Sequence, residues 1–160
     1  MKPRMTSPVL SIPGVLESLQ AISKATADAG AQAGLSQDTI DLISVRASQI
    51  NGCAVCLDMH ARALKKAGES DERLATLAAW REAPYFTDAE RAALALTEAA
   101  TRIADRPNPV PDEIWSEAAR HFDKPALAAL VLAIATINTW NRLNVTTGQI
   151  AGEWTAQWVA

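Results

Sequence analysis

The chain holds two cysteines, two histidines and, beyond Lys65-Lys66, no run of basic residues. Each scarcity excludes something. Scattered Lys and Arg under a net charge of -3 leave no footprint for nucleic acid or for an anionic membrane. The most apolar run, Ala126 to Ile137, is shorter than a membrane span. No apolar stretch of signal length follows Lys2 and Arg4, so a cytoplasmic location is expected. Sustained period-two alternation is missing and β-branched residues are few, which argues against sheet. Repeats, low-complexity tracts and interdomain linkers are also missing. In a reducing compartment a close cysteine pair points to catalysis or metal binding rather than to a structural disulfide.

What is present is helix. At 160 residues, 49 per cent of them apolar, the chain suits one domain with a core of its own. The spacing predicts an all-α fold of about seven helices: an extended arm over residues 1–12, a helical domain over 13–148 and a tail over 149–160. Pro13 suits a helix's first turn, with Val15, Leu16, Leu19, Ile22 and Ala25 following at helical spacing and Gly30 and Gly34 marking its end. Ser36 is the expected N-cap of the next helix, which runs to the breaker Asn51-Gly52. A further helix starts at or near Cys53 and runs to Ala67, and another runs from Ser70 past Trp80. Thr87-Asp-Ala-Glu90 is a capping box opening a helix that includes Leu94, Leu96 and Ile103. Pro111 or Asp112 begins a short helix through Trp115, and Asp123 caps a long one ending at Gly148. Trp154 and Trp158, spaced i,i+4 in the tail, suggest one more turn or a docked arm.

The reactive residues are concentrated between Asp41 and His60. On a helix starting at Cys53, Cys56 and His60 follow at i+3 and i+7, so two thiols and an imidazole share a face. A helix N-terminus favours thiolate over thiol, and an imidazole one turn away can take the proton. That combination makes a nucleophile at neutral pH and asks for no cofactor. Two other readings compete. An inert apolar pair leaves His60 unexplained. A zinc module needs a fourth ligand, and only the distant His121 could supply it. A thioredoxin-type site is disfavoured, because its Cys-x-x-Cys should follow a strand.

The pattern of an acidic residue, eleven others, Cys-x-x-Cys, three others and His resembles the alkylhydroperoxidase D-like branch of the carboxymuconolactone decarboxylase superfamily. Asp41, Cys53-Ala-Val-Cys56 and His60 match it in spacing, and Ser48-Gln-Ile-Asn-Gly-Cys53 and Ile137-Asn-Thr-Trp-Asn-Arg-Leu143 resemble its small members. The resemblance spans roughly residues 10 to 148. It implies a homo-oligomer, trimer or hexamer, with thiol-dependent peroxidase activity. It implies that Cys56 attacks a hydroperoxide, that Cys53 resolves the sulfenic acid as a disulfide, and that His60 and Asp41 relay the proton. A dithiol partner, such as a lipoylated protein or a thioredoxin-like donor, would reduce the disulfide. A non-enzymatic redox sensor or disulfide-exchange protein is the alternative.

Asp41 is one methylene shorter than the glutamate of the type member, which implies a bridging water between it and the site. Val55 replaces a second histidine, so weaker turnover or a different natural substrate is expected. The decarboxylase branch lacks the cysteine pair, so lactone decarboxylation is not expected. Gln49 and Asn51 are candidate donors near the active thiol. Asn138 and Asn141 interrupt an apolar helix and need partners if buried. Arg46 is read as a surface charge or as a partner of Asp41 at i+5, a poor helical spacing, with no role assigned; Asp58 is read as facing water and His121 as a cap or surface residue. Trp115, Trp140, Trp154 and Trp158 are expected in the core or at subunit contacts.

Overall fold

One helix is buried along most of its length, and the others surround it. This is α3 (Gln37–Asn51), in which every residue from Ile40 to Ser48 is buried. The computed structural model describes residues 1–152 and Thr155. Among these there are eight α-helices and no strand: α1 (Pro8–Ser11), α2 (Val15–Gln32), α3, α4 (Ala54–Lys66), α5 (Asp71–Thr76), α6 (Asp88–Thr101), α7 (Asp112–His121) and α8 (Lys124–Thr147). A 3-10 turn, Leu77–Ala79, follows α5. Helices α4, α6 and α8 pack on α3, while α2 covers α8 and α7 covers α6. The tryptophans predicted in the tail, Trp154 and Trp158, lie outside the described residues.

Local chemistry sets the helix ends where the side chains ask for them. Ser36, Ser70 and Asp123 each accept a backbone N–H of the first turn they cap. Thr87 and Glu90 form the reciprocal capping box. Gly52 closes α3 at φ 68, a left-handed conformation that a β-carbon would strain, and α4 turns back from there.

Several expectations need correction. The first dozen residues are not wholly extended: Pro8–Ser11 forms one helical turn. Arg4 donates its N–H to Thr147 O at 2.9 Å and its Nη1 to Thr146 O at 2.7 Å, so the arm is tied to carbonyls of the last turn of α8. Pro13 sits in the turn ahead of α2, whose N-cap is Gly14. Gly30 lies inside α2, and Ile103 falls beyond the end of α6. Helix α7 runs to His121, two turns longer than the apolar spacing suggested. Trp115 is 45 % exposed, whereas Trp80 is buried.

Arg46 is the larger correction. It is buried, and its guanidinium pairs with Glu98 of α6 at 2.7 Å. The same carboxylate accepts Trp80 Nε1 at 3.0 Å and Arg81 Nη1 at 2.8 Å. Burial alone would raise the Glu98 carboxyl, but the donors from Arg81, Trp80 and Arg46 outweigh it and hold the group at about 2. Because this is below the unfolded value of 4.5, Glu98 contributes stability above that value and loses it as pH falls towards 2. Glu98→Ala, which leaves Arg46 buried and unpaired, is expected to cost about 3 kcal/mol in urea unfolding at neutral pH. Glu98→Gln should flatten the acid limb of stability between those two pH values.

Candidate active site

The reactive residues come from one helical hairpin and one facing helix. After Gly52, Cys53 donates its N–H back to Ser48 O at 3.0 Å and becomes the N-cap of α4 in extended conformation. Both sulfurs are free thiols, Cys53 2 % and Cys56 4 % exposed. They pack in a small apolar cluster with Ala47, Val55 and Ile137, against which Met59 and Trp140 lean.

His60 lies on α4 one turn past Cys56, and its Nδ1 is 2.6 Å from Asp41 Oδ1 on α3. An ionised carboxylate only accepts, so Nδ1 carries the proton and Nε2 is left as the basic nitrogen. Gln37 Nε2 donates to the other Asp41 oxygen at 3.2 Å, which fixes the carboxylate from both sides. The short acidic residue therefore reaches the imidazole directly. The bridging water expected between Asp41 and the site is not needed for this contact.

Two thiols this close compete for protons. Cys53 accepts hydrogen bonds from the thiol and backbone N–H of Cys56, and these lower its pKa to about 6 against the cost of burial. Cys56 is pushed up, first because its S–H is held by the Cys53 sulfur and then by burial and the charge on Cys53. The first negative charge therefore rests on Cys53, at the start of α4.

Access favours the other sulfur. A cavity of about 450 Å³ opens beside the pair, and Cys56, His60 and Asn144 are on its wall. The remaining lining is largely apolar, including Val9 of the arm, Leu16 and Ile40, with Met59, Ile137 and Trp140 nearest the thiols. Cys53 lies behind that wall.

Asparagines supply the polar backing. Asn51 Nδ2 donates to Asn138 Oδ1 and Asn141 Oδ1, each at 2.9 Å. Asn141 Nδ2 reaches Ser48 Oγ at 3.1 Å, and Asn138 Nδ2 reaches Thr101 Oγ1 at 3.1 Å. Asn144 donates to Cys56 Sγ at 3.4 Å and was not singled out from the sequence. Its signal was available: Asn138, Asn141 and Asn144 recur every third residue along α8 and share one face.

Gln49, a candidate donor to the thiol, accepts from Arg46 instead. Asp58 accepts from Arg62 and Thr155 rather than joining the thiols. His121 bonds Glu117 at 3.0 Å and lines a separate cavity with Ser36 and Thr87, so it is not a fourth partner for the cysteines. Among the described residues no group of three or more His, Cys, Asp and Glu side chains is placed to hold a metal ion.

An all-helical bundle with a buried Cys-x-x-Cys at a helix start and a carboxylate-held histidine one turn on defines a protein with the AhpD-like fold. The chain belongs to the carboxymuconolactone decarboxylase family, whose model matches residues 13–99. It is 32 % identical to a protein of unknown function from Agrobacterium tumefaciens, described as a candidate antioxidant defence protein AhpD. That structure superposes with a TM-score of 0.84 over 95 % of this chain and 99 % of the other. Among curated relatives, uncharacterised YdfG of Bacillus subtilis is 40 % identical over 75 % of this chain and 80 % of its own length. Uncharacterised YnjA of Escherichia coli is 35 % identical over 64 % of this chain and 55 % of its own.

The assignment of charge to Cys53 is directly measurable. Thiolate absorbance should rise with a midpoint at about pH 6 in the reduced protein. Cys53→Ser should abolish that step and leave a single thiol that ionises only at higher pH, as mass-detected alkylation across pH would confirm.

Proposed function

We propose that the protein is a thiol-dependent peroxidase, an antioxidant oxidoreductase that cycles between the Cys53/Cys56 dithiol and an intramolecular disulfide. The observation that supports it most is Cys56 on the wall of an apolar cavity, with a second thiol hydrogen-bonded behind it and a carboxylate-held histidine alongside. Cys56 gives its proton to His60 Nε2, and its sulfur attacks the terminal oxygen of the hydroperoxide. An S–O bond forms, the O–O bond breaks, and the departing alkoxide takes the proton back from His60 as an alcohol.

Cys56 is then a sulfenic acid. Cys53, ionised at neutral pH, attacks that sulfur; the S–S bond forms, the S–O bond breaks, and hydroxide leaves as water with a proton from solvent. That proton replaces the one Cys53 released on ionising. Two electrons have passed from the sulfurs to the O–O bond. An external dithiol, a lipoylated or thioredoxin-like protein, returns the pair to its reduced state by exchange.

Asp41 keeps the histidine in the tautomer whose free nitrogen can accept the thiol proton. A cytoplasmic location suits the reduced resting pair. Assembly into a homo-oligomer suits the exposed apolar side chains Val131, Leu132 and Val145 on α8.

With excess dithiol, Cys56→Ser is expected to reduce hydroperoxide consumption to the uncatalysed rate, and His60→Ala to slow it about a hundredfold. In the absence of dithiol, Cys53→Ser should consume one equivalent and stop as a sulfenic acid that dimedone traps. Wild-type turnover by Cys56→Ser would overturn the assignment. Stoichiometric oxidation of the wild-type protein, without turnover by any dithiol, would make it a redox sensor instead.

A further inference from the structure

The three asparagines of α8 are not equivalent. Asn138 directs its amide N–H groups to Thr101 Oγ1 and to Ile134 O, and Asn141 directs its own to Ser48 Oγ. The Oδ1 atoms of both accept from Asn51. These two amides join α8 to α3 and α6, and Asn141 in addition donates weakly towards both sulfurs. Asn144, one turn further along the same face, instead directs its Nδ2 at Cys56 Sγ, 3.4 Å away. It is buried and forms part of the cavity wall beside the thiol. A neutral thiol is a poor acceptor and gains little from such a donor. A sulfur bearing negative charge gains considerably more, because charge-assisted hydrogen bonds in a poorly hydrated site are the strong ones.

We propose that Asn144 is a catalytic residue of the peroxide reaction, its side-chain amide holding the Cys56 sulfur in its charged states. This rests on the assignment of Cys56 as the attacking thiol. The amide neither gains nor loses a proton during the cycle. Its N–H stays aimed at the sulfur while the Cys56 proton passes to His60 and the thiolate forms. It remains there while the sulfenic acid waits for Cys53. Because the neighbouring amides are already engaged along α8, the donor is in place before substrate arrives, and no reorganisation is needed as charge develops.

The test isolates one sulfur and uses no peroxide, so its result does not depend on whether turnover is observed. In the full-length Cys53→Ser protein, the iodoacetamide alkylation rate of Cys56 is followed across pH, alone and combined with Asn144→Leu. Leucine has nearly the shape of asparagine and no donor. The combined variant is expected to move the midpoint up by about one pH unit and to slow alkylation at pH 7 about tenfold. Asn144→Gln, which retains an amide donor, should lie nearer the parent than Asn144→Leu does. An unchanged midpoint in a folded Asn144→Leu protein, checked by circular dichroism and thermal melting, would overturn the proposal and leave Asn144 as a packing residue. Should Asn144→Leu fail to fold, Asn144→Ala replaces it under the same criterion, since it too removes the donor and adds no charge.

Discussion

A helix buried on all sides has no solvent in which to leave a polar side chain, and α3 carries four such residues in its buried stretch. Asp41, Ser44, Arg46 and Ser48 must each be satisfied by something packed around them. Ser44 turns to its own helix, donating to Ile40 O at 2.7 Å. The other three reach outwards: Asp41 to His60 of α4, Arg46 to Glu98 of α6, Ser48 to Asn141 of α8. Each neighbouring helix is thus fixed to α3 by at least one directed contact as well as by apolar packing. That requirement for satisfaction sets the rotation of α4 and α8 about their own axes. The same rotation brings His60, Cys56 and Asn144 together.

The hairpin geometry adds the second constraint. Asp41 and His60 lie at nearly equal sequence distances on either side of Asn51-Gly52. Two antiparallel helices turning back at that glycine therefore bring the two residues level with each other. A glutamate would have an extra methylene to accommodate. The aspartate closes the gap directly, its Oδ1 lying 2.6 Å from His60 Nδ1. This is why the expected bridging water proved unnecessary: side-chain reach depends on helix separation, which sequence spacing alone does not provide.

Much of the arrangement was legible before any coordinates. The capping residues Ser36, Thr87 and Asp123, the breaker at Gly52 and the placing of Cys56 and His60 one turn apart on α4 follow from local rules, whereas Cys53, the extended N-cap, does not share their face of the cavity. What escaped was tertiary. Arg46 looked like a surface charge because nothing at a good spacing within its own helix could neutralise it; its partner Glu98 is far along the chain, and only the packing of α3 on α6 brings the two together. Asn144 escaped for the same reason, since its role depends on how α8 is rotated towards α4. The stripe of asparagines at every third position was visible, but a stripe names a face without saying what that face meets.

The two sulfurs divide between them properties that a single thiol could not combine. A group placed to hold charge at rest benefits from hydrogen-bond donors that outweigh the cost of burial, and Cys53 has them in the thiol and backbone N–H of Cys56. A group placed to meet substrate must border an open space, which describes Cys56. With one thiol, the site that best stabilises the anion would also be the site least reachable by peroxide. With two, the charge held on Cys53 keeps the Cys56 proton in a hydrogen bond until a base can take it. In the proposed cycle the imidazole held by Asp41 is that base, and the Asn144 donor stands on the side where the new charge would appear. In the proposed cycle, once Cys56 is oxidised the thiolate on Cys53 becomes the resolving nucleophile without a second activation. On that proposal the Cys-x-x-Cys spacing provides both a proton trap before the reaction and a nucleophile after it.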